Sequence, residues 1–158
     1  MSTYIIADTH FNHENIIKYC ARPFENAGHM NEYMIQKWNE TVSTIDLVYH
    51  LGDVGFGSNE QLKDLIDRLN GIKILLIGNH DFKRGINSWK QLGFREVYKK
   101  KIELGKYVLT HEPVQVEENQ INIFGHIHDK PLPDIFDKNN HICVSCDVTE
   151  FKPVRFEF

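Results

Sequence analysis

Three cysteines among 158 residues are too few, and of the wrong parity, for the disulfide framework that braces small secreted domains. Apolar runs are short as well, none approaching the ~20 residues that a membrane-spanning helix requires. After Met1 the chain turns within a few residues into Thr3-Tyr4-Ile5-Ile6-Ala7, without the basic segment and long apolar stretch of a secretory leader. A cytoplasmic protein with no membrane partner is the expectation. Positive charge is also scarce. Eighteen Lys and Arg against 22 Asp and Glu leave a net charge of −4, so the basic stripe with which proteins usually meet duplex DNA is missing. The absence of low-complexity tracts, solenoid repeats and Pro, Gly or Ser-rich linkers predicts one domain over residues 1–158.

What the chain does have is a series of short runs rich in Ile, Val and Leu. Thr3 to Ala7, Asp46 to Leu51, Ile72 to Ile77, Tyr107 to Thr110 and Ile121 to Phe124 have the composition of buried strands. Ser58-Asn59-Glu60-Gln61 opens a helix as a capping box, Leu62, Leu65, Ile66 and Leu69 follow at helical spacing, and Gly71 closes it. Met30, Met34, Trp38 and Val42 lie four apart and predict a second amphipathic helix, their stripe being core. Lys99 to Leu104, a Gly105-Lys106 turn and Tyr107 to Thr110 predict a hairpin with Lys99-Lys100-Lys101 as its solvated edge, and Val154 to Phe158 alternates as a last strand. Helices early and strands late point to an α/β fold, a four-layer α/β/β/α sandwich with two mixed β-sheets.

Residues able to hold metals fall at the ends of those strands. Asp8-Thr9-His10 follows the first, Gly52-Asp53 the second and Gly78-Asn79-His80-Asp81 the third; His111 follows the run through Thr110, and Gly125-His126-Ile127-His128 the run through Phe124. In open α/β sheets the crevice beyond the carboxyl ends of the strands is where ligands bind, so residues far apart in sequence are expected to converge there. Two aspartates, one asparagine and four imidazoles make a nitrogen and oxygen shell suited to two divalent ions, Mn in the first place and Fe, Zn or Ni as alternatives. Two such ions ~3.5–4 Å apart need a bridging anion, for which Asp53 is placed mid-series, and water acidified towards pKa ~7 would be the nucleophile of a metal-assisted hydrolysis.

In that order the five motifs resemble those of the calcineurin-like metallophosphoesterases, and the likeness runs from Asp8 to His128. The resemblance implies that Asp8, His10 and His128 hold one metal, that Asn79, His111 and His126 hold the other, and that Asp53 bridges them. It leaves His80 free to act as general acid on the leaving oxygen, while a metal-bound hydroxide attacks phosphorus. The compact length resembles small bacterial and phage-type members without a cap, which implies phosphodiesters, small or nucleotide, as substrates. Asn12 to Ile17 and Arg22-Pro23-Phe24 resemble one such short subgroup. The chain departs from phosphoprotein phosphatases in lacking an aspartate soon after Gly52-Asp53, where it has Val54-Gly55-Phe56-Gly57. Orientation of His80 is thereby left to Asp81, a backbone carbonyl or water, and Asp81 is read either as a catalytic partner or as a cap of the following turn.

Other residues carry paired readings. His13 is a candidate for substrate contact, and Arg22 for a phosphate clamp or an ordinary exposed arginine. His50 is expected in the core, His29 and His141 on the surface. Cys143 and Cys146 are read as members of one strand pointing to opposite faces rather than as a zinc pair. Beside the phosphodiesterase stand two alternatives: a non-catalytic scaffold of the same fold, against which the presence of His80 speaks, and a nuclease on single-stranded or structured nucleic acid. Tyr19, Phe24 and Phe82 could supply stacking for such a strand and are read as loop packing. Oligomeric state stays open.

Overall fold

The computed structural model describes residues 1 to 158. Strands β1 (Thr3–Ile6), β2 (Leu47–His50), β3 (Ile72–Leu76), β4 (Phe94–Tyr98) and β9 (Val154–Phe156) form the first sheet, in the order β4-β3-β2-β1-β9. All its pairings are parallel except β1 with β9. The second sheet is β5 (Ile102–Leu104), β6 (Tyr107–Leu109), β7 (Ile121–Phe124) and β8 (His141–Cys143), parallel apart from the β5-β6 hairpin. Alternation along the strands divides the apolar residues between two cores. Ile5, Tyr49, Leu51, Ile74 and Leu76 meet Ile102, Leu109, Ile123 and Val144 between the sheets.

On the other face of the first sheet, Ile6, Val48 and Leu75 are covered by helices α2 (Ala27–Thr41) and α3 (Asn59–Asp67), through Met30, Met34, Trp38, Leu62 and Ile66. The capping box at Ser58 and Gln61 is formed as expected. Helix α2 starts three residues before Met30, because the Asn26 side chain accepts the His29 N–H and caps it. Two short helices lacked a sequence signal, α1 (Glu14–Tyr19) and α4 (Ile86–Gln91), each six residues and too brief to show a period. Strand β4 was also missed: Phe-Arg-Glu-Val-Tyr is an edge strand with little to bury. No helix is long and apolar enough to cross a membrane.

Two mixed sheets under helices match the expected sandwich, but its fourth layer is irregular chain rather than helix. Asn122 and His141, paired across β7 and β8, peg that chain down: Asn122 Oδ1 accepts the Val114 N–H at 3.0 Å, and His141 Nε2 lies 2.8 Å from the Val114 carbonyl. His141 is therefore buried, not superficial. The strand holding Cys143 ends there, and Cys146 begins a 3-10 turn through Val148, so the two cysteines do not share a strand. Residues Lys99 to Lys101 lie outside the hairpin, in the crossover from β4 to β5.

Candidate metal centre

Three of the five strands expected to end in candidate metal donors, β1, β2 and β7, turn sharply at their carboxyl ends. Asp8, His10, Asp53, His126 and His128 all occupy the left-handed region, with φ between 50° and 69°. Asp and His tolerate that region better than most residues, and such conformations persist where surrounding contacts over-determine them. The glycines of the motifs let these turns pack backbone against backbone. A Cβ on Gly78 would stand 2.5 Å from the Asp53 nitrogen, and one on Gly125 would stand 2.6 Å from Asp8 Oδ2. Alanine at either would push donors apart.

The donors gather in two groups whose ligand atoms lie within 4.8 Å of one another: Asp8, His10 and His128 in one, Asp53, His111 and His126 in the other. Asn79 joins the second, its Oδ1 2.9 Å from His111 Nε2 and 3.2 Å from His126 Nδ1. Asp53 sits between them, Oδ2 being 3.5 Å from His10 Nε2 and 3.4 Å from His111 Nε2. Asp8 Oδ1 and His10 Nε2 are buried without any hydrogen-bond partner. Buried polar atoms are seldom left so, and two such atoms aimed into one acidic cluster fit a cation. The electrostatics agree. Burial would raise the Asp53 carboxyl, yet the imidazoles of His10 and His111 beside it hold it far below the usual carboxylate range. Burial would lower His111, but Asp53 and Asp8 together push it up to about 9. Carboxylates that draw a proton onto an imidazole so strongly present the field that a divalent ion would satisfy instead.

Each group is braced differently. His111 Nδ1 lies 2.7 Å from the Leu51 carbonyl, which fixes its ring and turns Nε2 towards Asp53. His128 Nδ1 lies 2.7 Å from Asp147 Oδ2, and Asp8 Oδ2 accepts from the Ser145 hydroxyl at 2.5 Å and from the His126 N–H at 2.7 Å. Asp147 and Ser145 were not found from sequence, since they follow β8 without any glycine motif; an acidic residue soon after a sixth apolar run, Ile142 to Val144, was the one available signal.

Two expected site residues take other places. Arg22 is buried, donating to both Asp147 oxygens at 2.9 and 3.0 Å, to the Thr9 carbonyl at 2.9 Å and to the Asp8 carbonyl at 2.7 Å. Its fork is spent on the protein, so it neither clamps a phosphate nor lies exposed; it ties the Asp8-Thr9 turn to the carboxylate that orients His128. Asp81 is buried and accepts the N–H groups of Asp53, Val54 and Gly78 at 2.7, 3.0 and 2.9 Å. It neither touches the His80 ring nor caps the next turn; it locks two donor loops together. Burial pushes its carboxyl up to about 6 despite those three donors.

His80 is 45% exposed, its N–H donating to Asp53 Oδ1 at 3.0 Å and its Nε2 3.9 Å from Asp53 Oδ2. Edge contacts with His10 at 5.5 Å and Phe56 at 5.6 Å hold its ring. His13 is half-buried, Nδ1 3.1 Å from His10 Nδ1, and burial together with the neighbouring His10 lowers it to about 4. His50 is in the core, 2.9 Å from the Thr9 hydroxyl, and burial lowers it to about 3.

Comparison with known proteins agrees with this geometry. The calcineurin-like phosphoesterase family model matches residues 1–141. An uncharacterised protein of Methanocaldococcus jannaschii is 37% identical over 163 residues, covering 98% of this chain and 86% of that one. The crystal structure of a protein of unknown function from Aquifex aeolicus superposes with a TM-score of 0.74 at 25% identity, covering 98% of this chain and 95% of its own. A Pseudomonas putida nuclease shares the fold at a TM-score of 0.58 and 20% identity, over 80% of this chain and 61% of its own. The chain belongs to the calcineurin-like phosphoesterases, a family of metal-dependent hydrolases of phosphoesters.

Proposed function

We propose that the protein is a dinuclear-metal phosphodiesterase in which Asp8, His10 and His128 hold one divalent ion, Asn79, His111 and His126 the other, and Asp53 lies between both. The observation that carries this is the pair of donor groups meeting at Asp53, with two orphaned buried donor atoms inside the first. When bound, the two ions would supply acidified water and offset the negative charge of the phosphate; a nitrogen and oxygen shell without thiolate suits Mn, Fe, Zn or Ni.

The chain's own residues do the rest. Asp53 draws its donors inward, and Asp81 keeps the Asp53 and Asn79 loops in register by holding three backbone N–H groups. His80, exposed beside Asp53, donates a proton to the leaving oxygen as the P–O bond breaks. A diester is favoured over a phosphoprotein because no side chain binds the His80 ring through a hydrogen bond and no cap overhangs the cleft. Chelator-treated protein refilled with Mn should hydrolyse bis(p-nitrophenyl) phosphate with a higher kcat/KM than p-nitrophenyl phosphate. Equal or better use of the monoester, or no metal requirement, would sink the reading.

A further inference from the structure

Three features around the centre have no part in the scheme above. Phe82 is 69% exposed although it follows His80 by only two residues. It walls a pocket of about 450 Å³ together with Asn79, His111, Lys99 and Lys100, and with Lys99 it also lines an adjoining pocket of about 440 Å³. The ring thus stands between two hollows, the first of which opens onto metal donors. Lys99 and Lys100 are exposed and take part in no ion pair, whereas Lys101 holds Glu103 and Arg84 is bonded to the Gly57 carbonyl and Asn59. Glu112 is the one carboxylate on the first pocket.

Beside the other donor group lies a second set of rings. Phe56 is 4.4 Å from His13, 5.6 Å from His80 and 6.2 Å from His10, and Tyr19, 73% exposed, is 6.4 Å from His13. Each half of the centre therefore has an aromatic surface next to it, with unpaired cations on the Phe82 side.

We infer that the site takes single-stranded nucleic acid, one base stacked on Phe82, the adjoining phosphate held by Lys99 and Lys100, and the strand continuing past Phe56. The inference rests on the phosphodiesterase reading and narrows it. A small diester needs no stacking surface at either end. A duplex offers no unstacked base face, and the net charge of −4 supplies no stripe to hold one. A single strand needs little more than flat apolar rings and a few cations along a groove. The lysine run that sequence assigns to a hairpin edge instead stands at the rim of the cleft.

The test uses Mn-loaded protein with a fluorescein-labelled, phosphorothioate-linked ten-nucleotide oligothymidylate, which resists cleavage, read by fluorescence polarisation. Phe82→Ala should weaken binding about tenfold, and Phe82→Leu, which keeps the bulk and loses the ring, should do nearly the same. Lys99→Ala/Lys100→Ala should flatten the slope of log affinity against log salt by about 0.7, the share of the one phosphate they hold. In parallel, the ratio of kcat/KM for a plain oligothymidylate to that for bis(p-nitrophenyl) phosphate should fall about tenfold in each variant. A duplex bound as well as the single strand, or a ratio that does not move, overturns the inference. If the aryl diester is cleaved and the oligonucleotide is neither bound nor cut, the inference falls and the phosphodiesterase stands. If neither is cleaved, both fall.

Discussion

The two donor groups are built in different ways. Asp8, His10 and His128 are held by other side chains: Ser145 on Asp8, Asp147 on His128, and Arg22 spanning Asp147 and the Asp8-Thr9 carbonyls. In the other group the contacts run to main chain: His111 rests on the Leu51 carbonyl, and the Asp81 carboxylate gathers the N–H groups of Asp53, Val54 and Gly78. Asp8 and His10 are buried, whereas Asn79 and His80 face solvent. The buried group is pre-organised by a charged network, and the open group is where a substrate has room to arrive. The fold supports the contrast: β1 and β8 are joined at their ends by the Ala7 and Ser145 bridge, which closes the first group, while β3 runs out into the pockets beside Phe82.

Removing the residue common to both groups should have the largest effect. Asp53→Asn is expected to lower turnover on the order of a thousandfold and to weaken both ions; an ion count of two with unchanged kcat would erase the symmetry assumed for Asp53. Next comes the network specific to the buried group. Arg22→Met leaves Asp147 buried without its cation and should destabilise the fold by about 3–5 kcal/mol in urea unfolding, with a loss under ~1 kcal/mol showing that the pair braces nothing. Asp147→Asn should reduce metal affinity about 10–100-fold at the Asp8, His10 and His128 group. Calorimetric titration with Mn would then resolve one weakened site and one unchanged, and equal weakening of both would mean that the groups are not independently built.

The smallest effect lies at the other end of β2, away from the centre. Asp46 accepts the Ser2 N–H at 2.6 Å and the Ser43 N–H and hydroxyl at 2.9 and 2.8 Å, and those backbone hydrogen bonds lower it to about 2. A carboxyl depressed from its unfolded value of ~3.9 contributes stability that is complete above that pH and is lost as pH falls through about 2. The gap in melting temperature between wild type and Asp46→Ala should be full at pH 5 and nearly closed at pH 2. A constant gap would assign it to packing.

The same contrast explains what was legible in the sequence. Donors at the ends of β1, β2, β3, β6 and β7 could be read because each follows an apolar run and most carry a glycine that permits close backbone approach. The braces of the buried group could not. Arg22, Ser145 and Asp147 act through contacts between residues up to 137 apart, and a side chain that serves another side chain leaves no period or spacing. Arg22 was recognisable as a guanidinium near the first strand, but not as one turned inward. Short elements were lost for a related reason: α1, α4 and β4 draw their stability from what they pack against. Asp81 is instructive in the opposite sense. Its place beside His80 suggested catalysis, whereas a buried carboxylate facing three N–H groups is a strut.

If two donor groups and one free histidine make a hydrolytic centre, His80→Ala separates these parts most directly. Metal content and bis(p-nitrophenyl) phosphate turnover would be measured on the same Mn-loaded samples of wild type and variant. Two ions are expected in both proteins, with a loss of about 10²–10⁴-fold in kcat for the variant. Two ions in wild type without turnover, or a variant that keeps its rate, would contradict that reading.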